Sequence, residues 1–149
     1  MKKGISISVF IMLFFVLISD YAYAVCVIAN KANIRSGPGS SYEVVWQVYK
    51  YMPFLKVGVS NSGNWYAIKD VDGDVNWIHK SLVTSKYRCA VVKKEEVNIR
   101  RGPGTNYSRL GLAKKYYTFM VTERKGQWIE IKDDEGNHAW IHRDYLWIQ

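Results

Sequence analysis

The sequence predicts an all-β protein built as two tandem, five-stranded small barrels behind an N-terminal leader. Two observations carry this prediction. First, the chain says nearly the same thing twice: residues 33–42 read NIRSGPGSSY and residues 98–107 read NIRRGPGTNY, identical at seven of ten positions. Residues 65–83, WYAIKDVDGDVNWIHKSLV, return at 128–146 as WIEIKDDEGNHAWIHRDYL, with eight of nineteen identical. Self-similarity of this kind marks duplicated structural units. Second, helix periodicity is weak after residue 24, whereas short alternating runs bounded by Gly, Pro, Asn and Asp recur throughout.

The elements follow in chain order. Residues 1–24 read as a secretory signal peptide. Lys2 and Lys3 give a positive start, Ile5 to Ile18 form a 14-residue apolar run, and Ala22-Tyr23-Ala24 offers a small-x-small cleavage pattern. The run falls short of the roughly 20 residues that cross a bilayer, so an uncleaved anchor is the lesser alternative. A lipidated Cys26 is another, disfavoured because Val25 precedes it. Membrane contact is then expected only through the leader, and the mature protein is expected to be exported, periplasmic or wall-associated. The mature chain divides into a first module, 25–84, and a second, 85–149.

Within each module the first strand is expected over Val27 to Ile34 and Val91 to Ile99, and another over Pro53 to Val59 and Phe119 to Thr122. In the second copy Trp128, Glu130 and Lys132 share one strand face, with Ile129 and Ile131 on the other. The first copy splits likewise, Ile68 lying opposite Trp65. Asp72-Gly73 and Glu135-Gly136 mark hairpin turns, since glycine accepts positive φ cheaply. Return strands carry Trp77-Ile78-His79 and Trp140-Ile141-His142. The first repeat block recurs at an offset of 65 and the second at 63, so the first copy holds two extra residues, placed in the loop-like SNSG of 60–63. Thr84 to Arg88 (TSKYR) is short enough that the barrels should touch.

Composition narrows the partners. Each copy has about 60 residues, near the lower limit for an independent core, and six Trp, eleven Tyr and five Phe compensate with large buried area per ring. Loss of two cations, Lys2 and Lys3, and one anion, Asp20, with the leader takes the formal charge from +8 to +7. A basic exported protein is drawn to anionic wall polymers or phospholipid headgroups rather than to nucleic acid; simple solubility is the bland alternative. Cys26 and Cys89 precede their respective NIR motifs by seven and nine residues. An oxidising compartment favours pairing them, provided the fold brings their Cα atoms within about 7 Å.

The pattern N-I-R-x-G-P-G-x-x-Y, then G-x-W, then W-I-H, resembles the bacterial SH3 family, over residues 30–83 and again over 95–146. WIHKSLVTSKYRCAVV (77–92) is similar to envelope proteins with tandem SH3-like domains. One departure is that Asn76 and Ala139 stand where the family commonly has glycine. The resemblance implies SH3-like barrels and adhesion to the cell wall, often to peptidoglycan or its peptide stems, without catalysis. Both copies and the leader account for the chain, leaving no segment the size of an accompanying enzyme domain, so no enzyme is expected.

The candidate site residues are weighed against structural roles. Arg35 and Arg100 can offer a guanidinium fork to a carboxylate, or tie their own Gly-Pro-Gly loops to the barrel through backbone carbonyls; the loop role is the stronger expectation. Trp65 and Trp128 point away from the isoleucine face, and eukaryotic SH3 domains place a Trp at a similar position in the wall of the peptide groove. They are the sharper ligand candidates. Trp77 and Trp140 are weaker ones, with cover of the barrel end or contact with the partner module as the alternative role. Tyr42 and Tyr107 either line a groove or stack on Pro38 and Pro103, stacking being preferred. His79 and His142 resemble the groove proline of eukaryotic SH3 domains in position and are expected to be hydrogen-bonded structural residues. No metal site is expected: His138 and His142 lie four residues apart on one strand, about 13 Å at ~3.3 Å per residue. No cofactor motif is present, and paired cysteines cannot act as nucleophiles. The functional expectation is non-covalent recognition of a cell-wall polymer. An envelope protein–protein adaptor and a purely structural tandem are the alternatives.

Overall fold

The computed structural model describes residues 23–149. The leader reading falls on residues outside that range, except that Tyr23 and Ala24 open β1 (Tyr23–Val27). Cleavage after Ala24 would keep the pairs Val25↔Phe54 and Cys26↔Pro53.

The first module continues with β2 (Lys31–Arg35), β3 (Val44–Tyr49), β4 (Pro53–Val59), β5 (Trp65–Lys69) and β6 (Val75–His79). A 3-10 turn at Lys80–Leu82 then leads into β7 (Val83–Thr84). The second module repeats the series as β8 (Cys89–Val92), β9 (Glu96–Arg100), β10 (Arg109–Lys114), β11 (Thr118–Lys125), β12 (Trp128–Lys132), β13 (His138–His142), a 3-10 turn at Arg143–Tyr145, and β14 (Leu146–Ile148). Each module is one seven-stranded antiparallel sheet, in the orders β3-β2-β6-β5-β4-β1-β7 and β10-β9-β13-β12-β11-β8-β14. The duplication is therefore topological as well as sequential.

Seven strand segments replace the five expected per copy. The stretch assigned to one first strand breaks in two, because Val27 N–H turns to Met52 O and Ile28 N–H to Leu82 O. The segments β3 and β10 escaped the alternation test for different reasons. VVWQVY is apolar on both faces, while RLGLAK carries a glycine and two cations. The length difference between copies sits where the sequence places it, between β4 and β5 against β11 and β12. Gly73 and Gly136 turn the β5–β6 and β12–β13 hairpins at φ of +95° and +93°, a region that penalises any Cβ.

Alternation decides burial. Ile129 and Ile131 enter the second core while Trp128, Glu130 and Lys132 stay on the outer face. Each module has its own core: Ile34, Met52, Phe54, Ile68 and Ile78 centre the first, and Phe119, Ile129, Ile131, Ile141 and Leu146 the second. Burying each such side chain contributes about 1.5–3 kcal/mol.

The modules meet along a seam. Cys26 and Cys89 form a disulfide with Cα atoms 5.9 Å apart, as the sequence anticipates. Both sulfurs are buried beside Tyr51, with Tyr87 packed against them. Val91 of β8 enters the first module's core, and Trp147 of β14 packs against it. Thr118 Oγ1 donates to Lys50 O at 2.7 Å. Although the two cores stay distinct, the barrels do touch, as the short linker requires.

Candidate ligand grooves

The site begins with the arginine loops. Arg35 closes β2 and Arg100 closes β9. The chain then leaves the sheet and returns through Ser36 N–H to Glu43 O and Arg101 N–H to Ser108 O, both 3.0 Å. Tyr42 and Tyr107 lie over the glycines that flank the proline: a Cβ added at Gly37 or Gly102 would overlap the Tyr42 or Tyr107 ring. The rings thus occupy space that any larger residue at those glycines would need. Arg35 Nη1 donates to Tyr42 O at 2.7 Å, and Arg100 Nη1 donates to Thr105 O at 3.1 Å and Tyr107 O at 2.9 Å. The loop-tying role assigned to these arginines is therefore present, carried by one nitrogen of each fork.

The tryptophans come from β5 and β12. Trp65 pairs with His79 across β5–β6, and Trp128 pairs with His142 across β12–β13. Both pairs meet edge to face, with ring centroids 5.2 Å and 5.4 Å apart. Such contacts add about 0.5–1.5 kcal/mol beyond area burial. Each histidine also caps its 3-10 turn: Nδ1 accepts from Ser81 N–H at 3.3 Å in the first module and from Asp144 N–H at 3.4 Å in the second. An accepting Nδ1 leaves Nε2 to carry the proton of the neutral ring. The structural role expected of the histidines is realised, and it also stiffens the tryptophan wall.

Register brings these pieces together. Arg35, Trp65 and His79 line a groove of about 340 Å³ with Lys31, Asn33 and Gln47. Arg100, Trp128 and His142 line a groove of about 290 Å³ with Asn98, Asp144 and Tyr145. The same arginine–tryptophan–histidine set recurs in both copies. In each, an asparagine on the groove floor accepts a hydrogen bond from the edge strand, Asn33 from Gln47 at 2.9 Å and Asn98 from Arg109 at 3.2 Å.

Not every candidate joins. Neither Trp77 nor Trp140 lines these grooves. Trp77 lies on β6 opposite Arg35. Trp140 is only 6% exposed, with the Lys125 ammonium over its ring at 5.5 Å, and offers almost no face to a ligand. Tyr42 and Tyr107 remain exposed on the loop rather than in the groove. Sequence reasoning missed Lys31, Asn33 and Asn98 as groove residues, because the barrel joins them to Trp65 and Trp128 only through strands distant in the chain. A larger cavity, about 430 Å³, lies at the seam between Tyr49 and Tyr117. It belongs to the contact between modules and contains none of the repeated set.

Residues 29–84 and 95–146 each match models described as bacterial SH3 domain. The chain belongs to the bacterial SH3 family. Its sheets extend upstream of the matched ranges through β1 and β8. Over 129 residues the bacterial SH3 pair is 26% identical to a candidate N-acetylmuramoyl-L-alanine amidase, YrvJ, of Bacillus subtilis (strain 168), covering 78% of this chain and 24% of that protein. The chain thus spans about a quarter of that relative's length. Among solved structures, an NlpC/P60 family protein of Bacillus cereus ATCC 10987 is similar at 10% identity and a TM-score of 0.37, over 85% of this chain and 56% of that one. The CBD of endolysin LysPBC5 is similar at 16% identity and a TM-score of 0.36, over 86% and 94%.

Proposed function

We propose that this protein is an exported binding protein that recognises a cell-wall polymer, with peptidoglycan or its stem peptides as ligand, without bond-making chemistry of its own. The observation that carries the reading is the recurrence of one groove in both modules, each with an indole wall, a histidine brace and a guanidinium. An indole standing away from the core beside cations suits stacking on a sugar ring or on a peptide plane. The unengaged edge of the arginine fork is suited to a stem carboxylate. The net positive charge favours approach to an anionic wall, and two grooves on one chain add avidity on a repeating polymer. The family membership and the name of the amidase relative, which refers to a muramoyl–alanine linkage, agree with this reading.

The rings that fill the seam are Tyr51 and Tyr87 around the disulfide, Trp46 against Tyr116, and Trp147 on the first core. This supports a binding role for Trp65 and Trp128 over one as seam packing. The test is co-sedimentation with purified wall. Trp65→Ala and Trp128→Ala are each expected to weaken sedimentation, and the double variant to lose about tenfold or more in affinity, a difference of about 1.4 kcal/mol. Equal sedimentation of wild type and the double variant would end the proposal.

A further inference from the structure

The two grooves share a floor and differ at the rim. Strand register fixes the correspondence. In the first module Lys31 pairs with Tyr49 and Asn33 with Gln47; in the second, Glu96 pairs with Lys114 and Asn98 with Leu112. Glu96 therefore occupies the place of Lys31. After the histidines the chains read Lys80-Ser81-Leu82 and Arg143-Asp144-Tyr145. In the first module His79 Nδ1 meets the uncharged Ser81 Oγ at 2.7 Å. In the second, His142 Nδ1 faces Asp144 Oδ2 at 3.6 Å, and the Tyr145 ring stands 5.7 Å from the imidazole.

These substitutions act in one direction. The first groove is lined by two cations, Lys31 and Arg35, and by no carboxylate. In the second, Asp144 lines the groove together with Arg100. Arg109 donates to Asn98 Oδ1, and neither it nor Glu96 is among the residues lining the groove. A carboxylate entering the first groove meets charge-assisted donors, whereas in the second it also meets Asp144 and gains little net attraction. The second groove has something the first lacks, a second aromatic wall: Tyr145 is exposed where the first module has Leu82. Two rings flanking one groove favour a flat or apolar neutral group.

We propose that the modules divide the ligand between them, the first groove taking a carboxylate-terminated portion and the second an uncharged portion held against Trp128 and Tyr145. This rests on the reading of the grooves as wall-binding sites. The difference arises from residues outside the shared arginine–tryptophan–histidine set, so one scaffold reads two chemistries.

The test uses the full disulfide-bonded chain and two probes, N-acetyl-alanyl-alanine and its C-terminal amide. Trp128→Ala leaves the first groove intact and is expected to prefer the carboxylate over the amide by about tenfold, the scale of one charge-assisted hydrogen bond. Adding Lys31→Glu should bring that ratio close to one. Trp65→Ala leaves the second groove intact and should bind the two probes within about twofold of each other, since little net charge distinguishes them there. In the wild type, the indole N–H resonances of Trp65 and Trp128 report the same assignment without any substitution: the carboxylate probe should shift Trp65 selectively. Equal carboxylate preference in the two tryptophan variants overturns the division, as does a ratio unmoved by Lys31→Glu or a wild type that ignores the carboxylate probe. Wall sedimentation run in parallel separates the two levels. If sedimentation persists while the ratios are equal, only the division fails; if wild type does not sediment, the wall-binding reading beneath it fails.

Discussion

Tyr116, on the turn between β10 and β11, donates its hydroxyl to Asp72 Oδ2 at 2.7 Å, on the β5–β6 hairpin of the other module. Its ring also meets Trp46 edge-on with centroids 5.6 Å apart. Tyr51 holds the equivalent place in the first module, and both residues are left-handed, at φ of 69° and 68°. Tyr51 turns inward against the disulfide at 5% exposure, while Tyr116 remains 40% exposed and reaches across. One repeated backbone conformation therefore supports two different contacts at the seam.

Removal of that hydroxyl should loosen the seam modestly. Tyr116→Phe is expected to cost about 0.5 kcal/mol, the low end for a hydrogen bond because the pair is exposed. It should be read as a lower denaturant midpoint at unchanged slope. The bond to Asp72 holds the Tyr116 hydroxyl above its ordinary value of 10.0. A raised folded-state value contributes stability below that ordinary value and loses it as pH rises through the folded one. Wild type and Tyr116→Phe should therefore converge at strongly alkaline pH.

The disulfide joins residues 63 apart. Loop-closure entropy for that separation is worth very roughly 4 kcal/mol in the chain-entropy account. The double variant Cys26→Ser, Cys89→Ser should melt well below wild type, and a reductant should lower the wild-type transition toward it. Each module has its own core, so β-sheet circular dichroism at low temperature is expected to survive.

Gly37→Ala and Gly102→Ala force a methyl into the Tyr42 and Tyr107 rings. Overpacking of this kind costs about 1–3 kcal/mol. The displaced ring belongs to the residue whose carbonyl holds Arg35 or Arg100, so wall binding should fall along with stability. Pairing each variant with Tyr42→Ala or Tyr107→Ala, which makes room for the methyl, should recover part of the stability lost by the glycine change alone.

Asp70 and Asp133 occupy equivalent hairpin positions and titrate in opposite directions. Burial pushes the Asp70 carboxyl up, against hydrogen bonds from the backbone N–H groups of Asp74 and Asp72. Partial burial also acts on Asp133, but hydrogen bonds from the Asn137 side chain and backbone outweigh it and hold that carboxyl down. Asp133 thus contributes stability above the ordinary value of 3.8 that disappears as pH falls through its lower folded value. Asp133→Asn, which sets one amide against the Asn137 amide, should cost about 1 kcal/mol at neutral pH and progressively less in acid. Asp70 behaves conversely: it favours the folded state below 3.8 and loses that contribution as pH rises through its higher folded value. Asp70→Asn should accordingly become relatively more favourable between acid and neutral pH, read from denaturant midpoints.

Much of this molecule was legible along the chain. The duplication, the hairpin glycines Gly73 and Gly136, and the outward face of Trp65 and Trp128 follow from repeats and period-two alternation. The pairing of Cys26 with Cys89 was favoured by compartment chemistry and needed the 5.9 Å Cα separation that the fold supplies. Strands β3 and β10 were not legible. One is apolar on both faces and the other is interrupted by Gly111, so neither shows the alternation that identifies a half-buried strand.

Sequence alone determined that two copies of one all-strand unit form, and which side of the alternating strands β5 and β12 meets the core, because strand alternation is a property of adjacent residues. Only the tertiary structure decided that Arg35, Trp65 and His79 share one groove with Lys31, that Trp140 is buried, and that Tyr116 rather than Tyr51 reaches the opposite module. Those relations depend on pairing between strands distant in the chain, Arg35↔Trp77 in the first module and Arg100↔Trp140 in the second, and on contacts across the seam such as Tyr116 to Asp72. Both are long-range closures, and no local pattern of residues encodes them.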